Sequence, residues 1–212
     1  ICPTHAFQYA GDDTQVDVRK AGNVPLGSFL VREIDRHDLP EQDLTVFILP
    51  KHFQLFADIR THIATSDISS VPLNSTILYS LVRTQDTIMH NTSTIDYLQC
   101  GGRLRYTNDG ESIYLAKHFK YHVPTEVGDC GSIVYVLSKN CHRKIVGMHV
   151  AGSAEYGVST ILNVDTINAA LDKMQPGPNL VGAEFAREDY QDYGLVAHSK
   201  YLEHCGEINR KY

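Results

Sequence analysis

Short apolar runs alternate with polar breaks and with glycine- or proline-containing breaks along most of the chain. Runs of this length and spacing are typical of antiparallel strands in a sandwich or a barrel, and not of βαβ units. The pattern therefore predicts a mostly β protein. The predicted strands cover residues 14–18, 28–34, 44–49, 76–82, 112–115, 132–137, 144–150 and 157–162.

One segment follows a helical period instead. Apolar residues fall at helical spacing over 165–174, where Asp165 stands in a position to cap the helix. The stretch 61–74 is rich in Ser, Thr and Ala and carries Pro72, which indicates a linker between two strand-rich halves. The predicted units are residues 1–66, residues 75–174 and a more polar extension over 175–212.

The composition excludes some classes of protein. Hydrophobic residues make up 42% of the chain, charged residues 21%, and the formal net charge is −6. That charge gives no reason to expect strong non-specific nucleic-acid binding, which requires basic surface. No apolar run reaches the ~18 residues that a membrane-spanning helix requires. The five cysteines form no CxxC pair, which favours reduced thiols in a cytosolic setting; they are Cys2, Cys100, Cys130, Cys141 and Cys205.

The most informative cysteine is Cys130, which lies between glycines and directly before an apolar strand. A glycine at 128 permits a tight turn that can aim neighbouring backbone N–H groups at one point. Such donors stabilise the oxyanion of a tetrahedral intermediate. The motif suggests a nucleophile whose oxyanion hole is formed by the amides of Gly128, Asp129 and Cys130. Taken alone, a buried cysteine in an ordinary glycine turn explains it equally well.

Two neighbouring motifs change that interpretation. Tyr-x-x-Pro-Thr occupies residues 121–125, and Gly-x-His-x-x-Gly occupies residues 147–152. Together with Gly-x-Cys-Gly they resemble the picornavirus 3C-type cysteine proteases and their relatives in picorna-like viruses. The resemblance implies a chymotrypsin-like fold of two six-stranded antiparallel β-barrels. It also implies a cysteine endopeptidase that processes a viral polyprotein in the host cytoplasm, with no metal and no cofactor.

The same resemblance implies a pocket for the substrate side chain that precedes the cut. Thr125 and His149 match the residues that line this pocket in the family. Tyr121 matches the tyrosine that holds the pocket histidine neutral, and Gly152 belongs to the same motif. A neutral imidazole N–H and a hydroxyl can both donate to the carboxamide oxygen of Gln. The expected cut therefore falls after Gln, or after Glu.

The thiol of Cys130 needs a base, and His5 and His52 compete for that role. Each stands in a segment similar to that around a catalytic histidine. Only 78 residues separate His52 from Cys130, which is tight for the rest of one barrel, a linker and half of the next. His5 lies 125 residues before Cys130, a comfortable distance. The spacing therefore favours His5.

An acid must hold that histidine in the correct tautomer and orientation, and Asp43 is the favoured candidate. It opens the apolar run 44–49, and a Phe-x-Asp-Ile-Arg segment follows at 56–60. In the picornavirus enzymes the acid opens such a strand, and a similar segment follows at nearly this distance. The alternatives nearby are Asp38, Glu41 and the weaker Asp35.

The choice of His5 leaves four residues before it, where the family has an N-terminal segment and two strands. We therefore expect a polyprotein fragment with a truncated first barrel, whose extension over 175–212 connects toward a polymerase domain. A competing function is viral RNA binding, which the family performs through a basic version of segment 55–60. Here Arg60 is kept, but Leu and Ala stand where basic residues are common. A catalytically inactive structural domain is the third hypothesis.

Overall fold

The computed structural model describes most of the first 174 residues and one later strand. The described ranges are 1–8, 10–20, 24–54, 56–65, 76–84, 87–96, 103–108, 110–139, 141–174 and 191–196. Only the backbone is described for 76–84, 87–96 and 191–196. The predicted linker beyond residue 65, Cys100, Cys205 and most of the extension 175–212 lie outside the described residues.

Within these ranges the chain is mostly β, with one short α-helix. Every predicted strand segment overlaps an observed strand, although the segment 28–34 begins earlier than expected and ends at Leu30. Helix α1 spans Val164–Met174. The strands, β1 to β14 in chain order, are Cys2–Pro3, Gln15–Lys20, Val24–Leu30, Asp35–Leu39, Leu44–Ile48, Thr76–Thr84, Thr87–Asp96, Leu104–Asn108, Glu111–Leu115, His118–Tyr121, Ile133–Val136, Ile145–Gly152, Gly157–Ile161 and Gln191–Val196.

The first part of the chain forms a hairpin and a small sheet. β2 pairs with β3, and β5 lies between β1 and β4, all antiparallel. The hydrophobic cluster here is aromatic: Phe29 and Phe53 are buried, and Phe7 and Phe47 pack against them. Because Pro3 of β1 pairs with Leu44 of β5, the chain just after β1 lies beside the start of β5.

The second part is built on antiparallel strands that close into a ring. The order runs β11, β6, β7, β10, β13 and β12, and β11 pairs with β12 as well as with β6. Every residue of β12 is buried. The cluster inside this part includes Phe119, Val134 and Val146. A polar side chain on β10 or β12 is therefore held by neighbours on both sides.

The β8–β9 hairpin connects the two parts. β8 pairs with β9 and, in parallel, with β14. The amide of Ala116, just after β9, donates to the carbonyl of Glu41 at 2.8 Å. The Asn108 side chain at the end of β8 donates to Gln8 Oε1 at 2.9 Å. The hairpin is thus fixed to the segment that follows β1.

Helix α1 begins one residue before the predicted start. The Asn163 side chain accepts a hydrogen bond from the Thr166 amide at 2.7 Å, so Asn163 caps the helix and the prediction for Asp165 was wrong. Asp165 lies in the first turn, where its charge suits the positive end of the helix dipole. Ile167 packs with Leu44 in a cluster shared by both parts of the chain. In the described residues, no helix has the length and apolar character needed to span a membrane.

Candidate active site

His5 lies in a 3₁₀ turn, Thr4–Phe7, and is only 2% exposed. Its backbone N–H donates to Asp43 Oδ1 at 3.0 Å, and its ring Nδ1 is hydrogen-bonded to Asp43 Oδ2. The Thr4 amide donates to the Asp43 carbonyl at 3.0 Å, which fixes the turn against the acid. Within the described part of the chain, the buried ring Nε2 has no hydrogen-bond partner. One ring nitrogen is therefore fixed, and the other is available to accept a proton.

Asp43 ends the 3₁₀ turn Pro40–Gln42 in the left-handed conformation, with φ at 47°. Aspartate tolerates this conformation better than most residues, but strain of this kind costs ~1–3 kcal/mol and is concentrated at functional sites. The carboxylate is 2% exposed. Besides its two hydrogen bonds from His5, it accepts one from the Tyr106 hydroxyl. Asp43 is thus a buried acid held by three donors.

The other acids considered from the sequence have different surroundings. Asp38 accepts a hydrogen bond from the Thr45 hydroxyl at 2.7 Å. Glu41 contributes its backbone carbonyl to the Ala116 amide. Asp35 is exposed at the start of β4. The arrangement thus favours Asp43 as the partner of His5.

His52, the rival histidine, lies in an exposed turn after β5. Its Nε2 lies 3.1 Å from the carbonyl of Ser28, to which it can donate. Its ring packs on that of Phe53 with a centroid separation of 4.6 Å. These contacts are those of a surface histidine that covers the aromatic cluster of the first part.

The loop before β11 is shaped by its glycines and by Asp129. Gly128 and Gly131 have φ values of 98° and 93°, which side chains rarely adopt. The buried Asp129 side chain accepts from the Glu126 amide at 2.8 Å. The Asp129 N–H donates back to the Glu126 carbonyl at 3.1 Å. This N–H is therefore used inside the loop, and the amides of Gly128 and Cys130 are the better candidates for an oxyanion hole.

Cys130 is partly exposed and lies beside the segment that carries His5. A Cβ added to Gly131 would lie 3.7 Å from Cδ of Pro3, two residues before His5. The Cys130 thiol donates to the carbonyl of Val150 on β12 at 3.2 Å. The loop with the predicted nucleophile therefore lies next to Pro3 of β1, which directly precedes the turn with the predicted base.

The predicted substrate pocket is centred on His149 of β12 and Tyr121 of β10. Both side chains are completely buried, and the Tyr121 hydroxyl lies 2.6 Å from His149 Nδ1. Gly157 is paired with Tyr121 across the sheet, and a Cβ there would overlap the tyrosine ring. The absence of that Cβ leaves room for the ring and fixes where its hydroxyl lies.

Thr125 and Gly152 adjoin the same histidine segment. The Thr125 amide donates to the carbonyl of Ser153 at 3.1 Å, which ties its loop to the end of β12. A Cβ at Gly152 would overlap Thr125 Oγ1, so glycine is required for this close approach. The structure thus brings Thr125 against Gly152, three residues after His149.

A comparison with known proteins gives these motifs a family. The profile of the 3C cysteine protease family (picornain 3C) matches residues 1–154. The chain belongs to this family. The match includes His5, Asp43, Cys130 and the pocket residues, so one family accounts for both parts of the candidate site.

The relatives of this 3C-type chain include polyproteins of RNA viruses. It is 38% identical over 58 residues to the replicase polyprotein of Drosophila C virus, covering 26% of the chain and 3% of the polyprotein. It is 26% identical over 170 residues to the genome polyprotein of coxsackievirus A24, covering 76% of the chain and 6% of the polyprotein. The chain therefore spans only a small fraction of the length of these relatives.

Among solved structures, the 3C-type chain is similar to the catalytically active tobacco etch virus protease complexed with product. The TM-score is 0.52 at 17% identity, and the match covers 81% of this chain and 66% of that one. At this identity the likeness shows the fold alone. It agrees with a mostly β chain whose neighbours are chymotrypsin-like proteases.

Sequence reasoning missed Tyr106, which joins the His5–Asp43 pair in this 3C-type chain. The available signal was the alternation in β8, where Leu104, Tyr106 and Asn108 are buried and their neighbours are less so. Two polar side chains on the buried side of a strand require hydrogen-bond partners. Their partners here, Asp43 and Gln8, both lie in the first part of the chain.

Segment 56–60, the basis of the RNA-binding hypothesis, uses its basic group internally. The Arg60 guanidinium is bonded to the Asp58 carboxylate, and these bonds lower the pKa of Asp58 to about 2. Arg60 also donates to the Asn168 side chain at 3.0 Å. Leu55 lies outside the described residues. These contacts engage the arginine with protein groups, and they give no support to RNA recognition.

Proposed function

We propose that this chain is the catalytic part of a viral cysteine endopeptidase with two chymotrypsin-like barrels, which cleaves a viral polyprotein after Gln or Glu. Cys130 is the nucleophile, His5 the base and Asp43 the acid that orients it. The observation that carries the proposal is the buried His5–Asp43 pair, whose ring Nε2 has no hydrogen-bond partner within the described part of the chain. With Nδ1 held by Asp43, Nε2 is the ring atom that can take the thiol proton.

The first step transfers the thiol proton and forms a C–S bond. The Cys130 thiol leaves the Val150 carbonyl and gives its proton to His5 Nε2. The Asp43 carboxylate offsets the positive charge that this transfer creates on the ring. The thiolate then attacks the carbonyl carbon before the scissile bond, and the electron pair of the C=O bond moves to oxygen.

The second step breaks the peptide bond and releases the amine. The amides of Gly128 and Cys130 donate to the oxyanion, an effect that is worth about 10²–10³ in rate for each donor. As the C–N bond breaks, His5 returns its proton to the leaving nitrogen. Water then hydrolyses the thioester with His5 as the base, which regenerates the thiol.

The pocket around His149 accounts for the preference for Gln. When the Tyr121 hydroxyl donates to Nδ1, a neutral ring carries its proton on Nε2. That N–H can donate to a carboxamide oxygen, and the hydroxyl of Thr125 supplies a second donor. A neutral ring offers no charge to balance a carboxylate, so Gln is favoured over Glu.

The direct experiment uses the purified chain and a fluorogenic peptide with Gln before the scissile bond. Wild-type protein should cleave the Gln peptide and leave a matched peptide with Asn at that position nearly intact. Cys130→Ala should abolish cleavage, because no other group can form the thioester. Cys141→Ala is the matched control, since it removes a buried cysteine outside the site. Turnover retained by Cys130→Ala would refute the proposal.

A further inference from the structure

Tyr106 is a completely buried tyrosine whose hydroxyl donates to a charged group. It lies in β8 and packs with Leu104, Leu115 and Val150. Its hydroxyl donates to Asp43 Oδ2 across 63 positions of sequence. Hydrogen bonds to charged groups are stronger than neutral ones, so this contact restrains the carboxylate more than an ordinary buried pair would.

The oxygen that Tyr106 contacts is the same one that contacts the ring of His5. Asp43 Oδ2 lies between His5 Nδ1 and the tyrosine hydroxyl, while Oδ1 accepts the His5 backbone amide. The rings of His5 and Tyr106 meet edge to face, with centroids 6.5 Å apart and an interplanar angle of 86°. Rotation of the carboxylate would therefore break the tyrosine contact and the imidazole contact together.

The hydroxyl remains a donor over the whole working range of a protease. Burial raises the pKa of Tyr106 well above its usual value, and the negative charge of Asp43 and its hydrogen bond raise it further. A deprotonated tyrosine beside Asp43 would place two buried negative charges together. Tyr106 thus acts as a neutral donor and does not replace the acid.

The hairpin that carries Tyr106 is fixed to the turn that carries His5. Gln8, three residues after His5, is hydrogen-bonded to Asn108 at the end of β8 and to Glu111 at the start of β9. Tyr106 precedes Asn108 by two residues and shares its face of the strand. These bonds fix the position of the hairpin in which the tyrosine hydroxyl lies within hydrogen-bonding reach of Asp43.

We propose that Tyr106 is a positioning residue that holds Asp43 in the orientation in which it fixes the His5 ring. The inference rests on the proposed function, because it assigns His5 and Asp43 to catalysis. Tyr106 donates a third hydrogen bond to Asp43. The donor lies in the second part of the chain, whereas the His5–Asp43 pair lies in the first.

The first test compares Tyr106→Phe with wild type in the peptide assay. The variant keeps the ring and loses the hydroxyl, so we expect kcat to fall about ten-fold with KM little changed. Tyr135→Phe on β11 is the matched control and should keep the wild-type values. An unchanged kcat in Tyr106→Phe would overturn the inference.

A double-mutant cycle separates positioning from a general loss of packing. If Tyr106 acts through Asp43, adding Tyr106→Phe to Asp43→Asn should cost little beyond the single Asp43→Asn change. The cycle is read both as peptide turnover and as the rate at which iodoacetamide alkylates Cys130. Independent, multiplicative effects of the two substitutions would show that Tyr106 does not act through Asp43 and would overturn the inference.

A spectroscopic measurement separates this inference from the proposed function. The downfield proton resonance of the His5–Asp43 hydrogen bond should shift in Tyr106→Phe and shift oppositely when 3-fluorotyrosine, a stronger donor of nearly the same shape, replaces Tyr106. The fluorinated protein retains the packing, so it also covers the case in which Tyr106→Phe fails to fold. If wild type cleaves no peptide, the proposed function fails while the two shifts still support the inference. A resonance that does not move in either protein overturns it.

Discussion

Two buried histidines of the described residues, His5 and His149, are alike in setting and differ in partner. His5 is 2% exposed and His149 is completely buried, and each is hydrogen-bonded through Nδ1. The partner of His5 is a carboxylate, whereas the partner of His149 is a tyrosine hydroxyl. A carboxylate stabilises a positive charge on the ring. A hydroxyl that donates to Nδ1 requires that nitrogen to be unprotonated.

This difference shows how one side chain can serve two roles within one site. The imidazole beside Asp43 can take a proton and return it, which is the work of a general base and acid. Under the proposed function, the imidazole beside Tyr121 holds its proton on Nε2 and presents it as a fixed donor. Burial is nearly equal in the two regions, so under the proposed function the partner of Nδ1 decides which role each ring performs.

The largest expected effect that tests this difference between the two histidines comes from replacing either one by alanine. His5→Ala should lower kcat/KM by about 10³-fold for every peptide, because proton transfer to and from the reacting groups is lost. Peptide kinetics with Gln, Glu and Asn before the cut would measure it. His149→Ala should instead change the ranking of these peptides.

His52→Ala is the control for the loss of a histidine, since His52 lies in an exposed turn. It should cleave all three peptides at the wild-type rate. If His5→Ala changed the ranking of the peptides while the overall rate survived, the two rings would not have separate roles.

A smaller but more specific effect is expected from removing the hydroxyl of either tyrosine, Tyr121 or Tyr106. Tyr121→Phe removes the hydroxyl that donates to Nδ1 of His149, so the ring is no longer fixed in the tautomer that directs its Nε2–H at the Gln carboxamide. The ratio of kcat/KM for the Gln peptide to that for the Glu peptide should fall about ten-fold, roughly the value of one hydrogen bond. Kinetics with the two peptides at one pH would measure this ratio.

Tyr106→Phe is the matched variant, because it also removes one buried hydroxyl next to a histidine-containing pair. It should lower the rate for both peptides equally and leave their ratio unchanged. If both tyrosine variants changed the ratio, the separation between the base and the pocket would be wrong.

The two regions also differ in how far the sequence could predict them. The pocket comes from motifs within residues 121–152, and Tyr121 and His149 are 28 positions apart on neighbouring parts of one sheet. His5 and Asp43 are 38 positions apart, and Tyr106 is 63 positions from Asp43. Spacing and resemblance indicated His5 and Asp43, but only the folded chain brings the β8 strand to them. The third contact could therefore not be found from a local pattern.

The strands also differ in how far the local sequence predicts them. The strands that sequence reasoning found, such as β5 and β12, are apolar runs whose burial can be read from their composition. β4 was missed because its residues are mostly charged and largely exposed. Its register is supplied by pairing with β5. β1 has only two residues and is held in a strand conformation by its antiparallel pairing with β5.

The smallest predicted effect tests how strongly burial near the His5–Asp43 pair disfavours a charge on Cys2. Cys2 lies on β1, and burial raises the pKa of its thiol from 9.0 to about 12; the N-terminal amine and Arg36 oppose the shift, while Asp43 and Asp38 add to it. The folded chain therefore keeps the Cys2 proton at a pH at which the unfolded chain loses it. This contribution to stability is fully present below pH 9 and is lost as the pH rises toward 12.

The free energy of unfolding should fall by about 1 kcal/mol between pH 9 and pH 10 on this account. Urea denaturation of wild type and Cys2→Ala at pH 8, 9 and 10 would measure the difference. The variant should lose less stability over that interval, and Cys141→Ala should follow wild type. Equal slopes in wild type and Cys2→Ala would show that the thiol ionises in the folded chain as it does in the unfolded one, and that burial on β1 does not hold it neutral.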